Sequence, residues 1–86
     1  MYPNKIRYDI AMLVPKDAKS VLEIGAGSGK NCVIYPKDSY KVAIEPENRT
    51  DCQTAENFPG GFNEYHHVLY EDYKEDRKFD LIVMCD

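Results

Sequence analysis

The sequence VLEIGAGSGK, residues 21–30, joins a short apolar run to three glycines at every second position. The apolar run stops at Gly25, which predicts a β-strand over 21–24 followed by a loop. Glycine reaches positive φ at no steric cost and lets a ligand lie against the bare main chain. Glu23 is the one acid inside the run. It suits a ligand with an ammonium group, and the alternative is a solvated or salt-bridged strand acid.

Strand and helix patterns alternate along the rest of the chain, which is typical of βαβ units and a parallel sheet. The last strand pattern is apolar on consecutive residues, as in a strand covered on both faces of a doubly wound sheet. We therefore expect one α/β domain, with residues 1–20 as an N-terminal helix and lead-in and residues 21–86 as the ligand-binding part. The predicted elements are helices over 4–14, 30–35 and 47–58, further strands over 40–44, 67–70 and 79–85, and a charged connection over 73–78 with one possible helical turn.

Charge and composition disfavour several classes of protein. The 86 residues carry a net charge of −4, and an acidic chain gains nothing from counterion release on a phosphate backbone, so we expect no nucleic-acid partner. The longest apolar run, residues 81–85, is far shorter than the roughly 20 residues that cross a membrane. The three cysteines are widely spaced, without a CxxC pair. This pattern fits reduced thiols in a cytoplasmic protein.

The spacing of the glycines disfavours two familiar phosphate-binding loops. A P-loop needs GxxxxGK followed by a hydroxyl residue, but Gly25 and Gly29 are one residue too close and Asn31 replaces the hydroxyl. The dinucleotide fingerprint GxGxxG needs its third glycine where Lys30 stands. A nucleoside triphosphatase and a dinucleotide oxidoreductase are therefore the less favoured interpretations.

Acids also follow the second and third predicted strands. Glu45 ends the second strand, twenty residues after Gly25, where nucleoside-binding sheets hold ribose hydroxyls. A carboxylate can accept from two hydroxyls at once. Glu71 and Asp72 follow the third predicted strand, where a side chain would accept from an adenine amino group. The alternatives are an ordinary strand-end acid at Glu45 and ordinary loop charges at Glu71 and Asp72.

Four segments together resemble the successive motifs of class I S-adenosylmethionine-dependent methyltransferases. They are VLEIGAGSG, KVAIEPEN, VLYED and KFDLIVMCD. The finer pattern Gly29-x-Asn31, Tyr35-Pro36 and Glu45-Pro46 is similar to the type 11 (UbiE-like) enzymes, especially to the branch that resembles small-molecule thiol and lipid methyltransferases. The resemblance runs from Val21 onward and covers the first half of the family's domain.

The resemblance implies a Rossmann-like, doubly wound sheet of which this chain holds only part. The family's seven strands lie in the order 3-2-1-4-5-7-6, so the chain would form the 3-2-1-4 part and lack the later strands. The fourth strand would then be an edge, at which we expect possible pairing with a partner.

The resemblance also implies a function and a set of cofactor-binding residues. The reaction would transfer a methyl group from S-adenosylmethionine to a small-molecule acceptor, and no residue is assigned as a catalytic base. Glu45 would hold the ribose, Pro46 would border the adenine, and either Glu71 or Asp72 would meet the adenine edge. The residues expected at the methionine part are Glu23 and the backbone of Gly25, Ala26 and Gly27, within the motif that Gly29 completes.

Alternative functions remain open at this stage. The chain would otherwise be a non-catalytic nucleoside-binding or interaction module that pairs through its fourth strand, or a fragment of a dinucleotide oxidoreductase. A metal site at His66 and His67 is disfavoured because neighbouring strand residues point to opposite faces. Cys32 and Cys85 have no identifiable partner base for nucleophilic catalysis. A lid over the cofactor from Tyr2, Arg7 and Tyr8 competes with simple packing or exposure of Tyr8.

Overall fold

A computed structural model describes residues 6–48 and 50–84 of the chain. They form one four-stranded sheet, all parallel, in the order β3-β2-β1-β4. The predicted 3-2-1-4 order of parallel strands is therefore confirmed. The strands are β1 (Ser20–Ile24), β2 (Tyr40–Ile44), β3 (Glu64–His66) and β4 (Leu81–Met84), and the helices are α1 (Tyr8–Ala11) and two 3₁₀ helices (Lys30–Ile34 and Tyr70–Asp72).

The first face of the sheet carries the larger core cluster. Phe62 lies at its centre, with its ring edge-on to the rings of Tyr35 at 6.4 Å and Tyr65 at 5.8 Å. Edge-to-face contact suits the charge distribution of aromatic rings. The buried members of this cluster are Val21, Ala26, Cys32, Tyr35, Ala43 and Phe62.

The second face is covered by an extended segment, residues 73–79, which we call the strap. Tyr73 and Phe79 of the strap pack against the buried side chains of Leu22, Val42 and Ile44. The strap is fastened by Arg77, which donates two hydrogen bonds to Glu64 on β3, at 2.7 and 3.0 Å. A strap, rather than a long helix, thus covers this side of β1 and β2.

The predicted first helix is much shorter than its sequence pattern. Residues 4 and 5 of the prediction lie outside the described residues, and the helix itself is α1, Tyr8–Ala11. It has no side-chain N-cap, because Arg7 occupies the N-cap position and a guanidinium has no acceptor for the free N–H groups. Leu13, which lies within the predicted helix, is exposed. A helix this short gains too little burial to propagate.

The predicted helix over 47–58 is wrong. Thr54 instead forms an isolated parallel bridge with Phe62, and the main-chain N–H groups of Ala55 and Phe62 bond to the carbonyls of Phe62 and Gln53. Gly61 permits this close approach, because a Cβ there would lie 2.5 Å from the Thr54 carbonyl. Burial of Phe62 therefore outweighs helix propensity in this segment. The predicted helix over 30–35 is present as a 3₁₀ helix over Lys30–Ile34.

The third strand lies earlier in the chain than predicted. β3 is Glu64–His66, paired with Val42 to Ile44, whereas the prediction placed it over 67–70. The apolar residues Val68 and Leu69 suggested a buried strand, yet both are exposed. Tyr65 packs against the first-face core instead, which fixes the register of β3. The strap that follows is not helical; the 3₁₀ turn precedes it, at Tyr70–Asp72.

β4 is an edge strand, as expected from the order of the sheet. Its described span is Leu81–Met84, shorter than the predicted 79–85, and Cys85 lies outside the described residues. Leu81 and Val83 are half-buried against the first-face core. Ile82 and Met84 are 57 % and 71 % exposed. The expectation that this strand is covered on both faces is therefore wrong for this chain.

No helix within residues 6–48 and 50–84 is both long and apolar enough to cross a membrane.

Candidate ligand-binding site

The glycine loop, residues 25–29, follows β1 directly and depends on left-handed backbone. Gly25, Gly27 and Gly29 have φ values of 79°, 60° and 83°. These angles favour glycine, because a Cβ would crowd the backbone there. Gly29 also needs to be small, because a Cβ would lie 3.1 Å from the Phe62 ring and 3.2 Å from the Tyr65 ring.

The loop is clamped onto the end of β2. The N–H groups of Gly25 and Ala26 both donate to the Ile44 carbonyl, at 2.9 and 3.3 Å. The N–H of Gly27 donates to Glu45 Oε1 at 2.7 Å. These three N–H groups are therefore engaged within the chain. A loop that cradles phosphate would instead present such groups to the ligand.

Glu45 is fully buried beside the loop and holds two main-chain donors. Oε1 accepts from Gly27, and Oε2 accepts from the N–H of Glu47 at 3.0 Å. A carboxylate oxygen has two acceptor positions, so one position on each oxygen is left over. Pro46, next in the chain, is exposed. The structure therefore joins Glu45 and the glycine loop in one hydrogen-bonded unit.

Glu23 lies on β1, on the first face and beneath the loop, and is fully buried. Its Oε1 accepts from the Tyr35 hydroxyl, and its Oε2 accepts from Asn31 Nδ2 at 3.2 Å. Burial raises the pKa of Glu23 to about 7, although the two hydrogen bonds act in the opposite direction. Glu23 is therefore neither a solvated nor a salt-bridged strand acid.

Asn31 and Tyr35 are residues to which sequence reasoning gave no role. Their signal was present in the Gly29-x-Asn31 and Tyr35-Pro36 pattern, but only the fold shows that both side chains reach Glu23. Asn31 Oδ1 also accepts the main-chain N–H of Arg7 at 2.7 Å. The N-terminal segment is thereby tied to the floor of the loop. Tyr8, the other described member of the suggested lid, is exposed, and Tyr2 lies outside the described residues.

Tyr65 was also missed, because the third strand was placed too late, and His67 was considered only as a metal ligand. The Tyr65 hydroxyl donates to the Gly27 carbonyl, and burial raises the pKa of Tyr65 above its ordinary value. The His67 ring lies 5.2 Å from the Tyr65 ring, and its Nδ1 lies 3.0 Å from the Glu47 carbonyl. An aromatic pair thus stands beside Glu45 and the loop.

Glu71 and Asp72 do not lie directly at the end of a strand. They are exposed on the second 3₁₀ helix, five and six residues beyond the end of β3. The prediction that one of them meets an adenine edge relied on a strand ending at residue 70. The residues that follow β3 directly are His67 and Val68.

Metal and thiol chemistry find little support in the site. Within the described part of the chain, no group of three or more His, Cys, Asp or Glu residues is arranged to hold a metal ion. His66 Nε2 pairs with Glu64, while the His67 ring lies beside Tyr65. Burial raises the pKa of the Cys32 thiol, which disfavours the reactive thiolate.

One buried charge lies away from the loop. Lys41 is almost fully buried near the start of β2, and its Nζ donates to the carbonyls of Lys37 and Ser39, each at 3.1 Å. Burial lowers its pKa. These bonds give the lysine a structural role.

Neither a protein-family model, nor a curated protein, nor a solved structure matches this chain.

Proposed function

We propose that this chain is the cofactor-binding half of a methyltransferase that uses S-adenosylmethionine and a small-molecule acceptor. We propose with it that the four strands belong to a doubly wound, Rossmann-like sheet. The observation that carries the proposal is the hydrogen bond between Glu45 Oε1 and the Gly27 N–H. It puts the acid expected for a ribose and the loop expected for a methionine chain into direct contact.

Glu45 supports the ribose end of the proposed ligand. Its two oxygens already hold two N–H donors, and the group is fully enclosed. A ribose would therefore bind when the exposed turn over residues 46–48 moves aside and ligand hydroxyls use the remaining acceptor positions. Parallel sheets bind ligands at this same place, beyond the carboxyl ends of their strands.

The glycine loop supports the methionine end. Its N–H groups at Gly25, Ala26 and Gly27 are engaged within the chain, so the loop suits a ligand without a pyrophosphate. Glu23 lies beneath it as an acid. An acid in a low-dielectric site attracts an ammonium or sulfonium group even without contact.

The adenine end would lie near Pro46 and the aromatic pair of Tyr65 and His67. Aromatic side chains bind nucleobases by stacking, worth about 1–3 kcal/mol per base. His67 is exposed, and its ring lies beside the Tyr65 ring. Glu71 and Asp72 remain the proposed acceptors for the adenine amino group, which requires the second 3₁₀ helix to approach the ligand.

The chemistry needs little from the protein beyond position. S-adenosylmethionine, when bound, supplies an activated methyl group that passes to a nucleophile and leaves S-adenosylhomocysteine. The chain contributes orientation and a site from which water is excluded. The net charge of −4 favours a small acceptor over a nucleic acid. We also propose that the protein is cytoplasmic, from its cysteine pattern.

Isothermal titration calorimetry tests the cofactor class. The chain is titrated with S-adenosylmethionine, S-adenosylhomocysteine, NAD and ATP, after circular dichroism has established that it is folded. We expect saturable binding of the first two ligands only. Binding of NAD instead would support the oxidoreductase interpretation, and a folded chain that binds none of the four would contradict the proposal.

A second candidate function is an interaction module that pairs through β4. The observation that favours it is the exposed apolar side of this edge strand, at Ile82 and Met84. An edge strand that is apolar and unguarded by charge is a site for pairing with another strand. Concentration-dependent association without ligand binding would favour this module over the methyltransferase.

A further inference from the structure

A buried hydrogen-bond chain connects the N-terminal segment to Glu23. The main-chain N–H of Arg7 donates to Asn31 Oδ1 at 2.7 Å, and Asn31 Nδ2 donates to Glu23 Oε2 at 3.2 Å. The Tyr35 hydroxyl donates to the other oxygen, Glu23 Oε1. The side chains of Glu23, Asn31 and Tyr35 are all buried, so protein groups rather than bulk water determine these bonds.

The donor and acceptor of each hydrogen bond in this chain are determined by the main-chain N–H of Arg7. A main-chain N–H can only donate, so Asn31 must turn its oxygen toward Arg7 and its NH₂ group toward Glu23. Oε2 of Glu23 therefore accepts a hydrogen bond in both protonation states. The bond that Tyr35 donates to Oε1 is that of the ionised carboxylate. When Glu23 is neutral, its proton lies on Oε1, the bond is reversed, and the Tyr35 oxygen accepts it.

We propose that Asn31 and Tyr35 are positioning residues that hold Glu23 as an acid which loses one proton when a cationic ligand binds on the glycine loop. This inference rests on the proposed cofactor site. In the step, the O–H bond at Oε1 breaks, the electron pair stays on Glu23, and the proton passes to the buffer. The Tyr35 hydroxyl then turns to donate to the carboxylate.

Burial makes this exchange possible near neutral pH. It raises the pKa of Glu23 to about 7, so the group is mostly neutral at about pH 6.5. A nearby cation favours the ionised form and lowers this pKa. S-adenosylmethionine carries two such charges, an ammonium and a sulfonium.

Two neighbouring groups, the Cys32 thiol and the Tyr65 hydroxyl, do not compete with Glu23 in this pH range. Burial raises the pKa of the Cys32 thiol and of the Tyr65 hydroxyl, so both stay neutral. Lys41 bonds to two carbonyls away from the loop, and β4 places the apolar Val83 opposite Glu23. Among the described residues, the titratable and charged groups packed against this face come from several elements. They are Tyr35 and Cys32 from the first 3₁₀ helix, Lys41 from β2, Glu45 directly after β2, Cys52 beside Tyr65, Tyr65 from β3, and Arg7, which is paired with Asp9, from the N-terminal segment.

The test measures proton release on binding. The intact chain is titrated with S-adenosylmethionine at about pH 6.5 in two buffers that differ in ionisation enthalpy. From a pKa near 7, we expect about 0.5–0.8 proton released per ligand bound. The Glu23→Gln variant is the control. Its amide reproduces the bonds of neutral Glu23, accepting from Asn31 and donating to Tyr35, so it should fold. It should bind S-adenosylmethionine more weakly, because it cannot ionise, and it should release no proton.

Carbon-13 NMR of labelled glutamate carboxyls tests the ligand-free state. The signal missing in Glu23→Gln identifies Glu23, and we expect it to titrate near pH 7. Tyr35→Phe should raise this pKa, because the bond it removes favours the ionised form. Tyr40→Phe, which removes a surface hydroxyl bonded to Glu64, should leave the signal unchanged.

The outcomes separate the two proposals. Ligand binding without proton release overturns the proton linkage and leaves the proposed cofactor site standing. A folded chain that does not bind S-adenosylmethionine overturns the proposed function and the linkage together. The positioning roles are overturned if Glu23 titrates between about pH 4 and 5, or if its pKa is the same in Tyr35→Phe as in the natural chain. This conclusion does not depend on the result of the ligand titration.

Discussion

The carboxylate of Glu45 accepts the main-chain N–H of Gly27 at 2.7 Å, across eighteen residues of sequence. This bond joins the end of β2 to the middle of the loop that follows β1. It depends on the parallel register that sets Ile24 beside Ile44. A shift of one residue would turn Glu45 to the opposite face of the sheet. The candidate site is therefore a product of strand pairing as much as of its own residues.

Glu45→Gln should weaken binding of S-adenosylmethionine about 10- to 100-fold, measured by calorimetry. A glutamine can accept only through its oxygen, so one charge-assisted bond is lost, worth roughly 1–3 kcal/mol. Its NH₂ group would also face an N–H donor. Glu56→Gln, at an exposed glutamate, should bind as the natural chain does. Equal affinity in both variants would remove Glu45 from the site.

The stability of the chain should depend on the protonation of Glu23. Because its pKa is raised from 4.5 to about 7 in the folded state, the unfolded chain loses this proton first. The stabilising contribution is fully present below about pH 4.5 and is lost as the pH rises to about 7, at a total cost of about 3 kcal/mol. Urea unfolding of the natural chain and of Glu23→Gln across this range should show the difference. Parallel pH profiles would contradict it.

Gly29→Ala should destabilise the chain more than Gly60→Ala. Both glycines have nearly the same left-handed φ, 83° and 82°, so both variants bear a similar backbone penalty of about 1 kcal/mol. At Gly29 the new methyl would also press on the Phe62 and Tyr65 rings, whereas at Gly60 it meets only the Lys37 side chain at 3.9 Å. Thermal unfolding measures both. Equal losses of stability in the two variants would show that the Phe62 and Tyr65 rings move aside at no cost.

Arg77→Met should raise the pKa of Glu64. Hydrogen bonds from Arg77 are the largest cause of its pKa of about 2, against an ordinary 4.5. The lowered pKa contributes stability that is present above about pH 4.5 and is lost as the pH falls toward 2. Carboxyl NMR of Glu64 should show the upward shift, and Lys78→Met should not cause it. An unchanged pKa would mean that Arg77 does not fasten the strap in solution.

Ile82→Lys should reduce any self-association of the chain. The side chain is 57 % exposed on the edge strand, and an added charge blocks strand pairing with little effect on folding. Leu13→Lys is the matched control, because Leu13 is exposed and apolar but lies outside the sheet. Analytical ultracentrifugation over a range of concentrations compares them. An equal effect of both variants on association would indicate nonspecific hydrophobic association rather than strand pairing at β4.

Much of the fold was predictable because its signals are local. A short apolar run ending at Gly25 and another ending at Glu45 marked β1 and β2 to within one residue. The predicted position of the third strand was wrong for a physical reason. Val68 and Leu69 are the more apolar residues, but Tyr65 fits against Phe62. Packing between distant segments outweighed local hydropathy there.

The candidate site likewise has residues that were predictable from the sequence and residues that were not. The glycines, Glu23 and Glu45 were identifiable from residue type and spacing. A left-handed loop requires glycine, and an acidic residue is unusual within an apolar run. Their partners were not identifiable. Asn31, Tyr35 and Tyr65 reach the loop and its acids only after three strands have paired.

Residue pattern alone thus established the positions of β1 and β2, the glycine loop and the two acids, since each depends on neighbours within a few residues. Folding in three dimensions established which groups those acids bond to, because a buried carboxylate must find donors and strand register decides which ones lie within reach. Glu23 shows the difference most clearly. The sequence presents it as a contact for a cationic ligand, with a solvated or salt-bridged strand acid as the alternative. The folded chain encloses it between Tyr35 and Asn31 with a pKa of about 7.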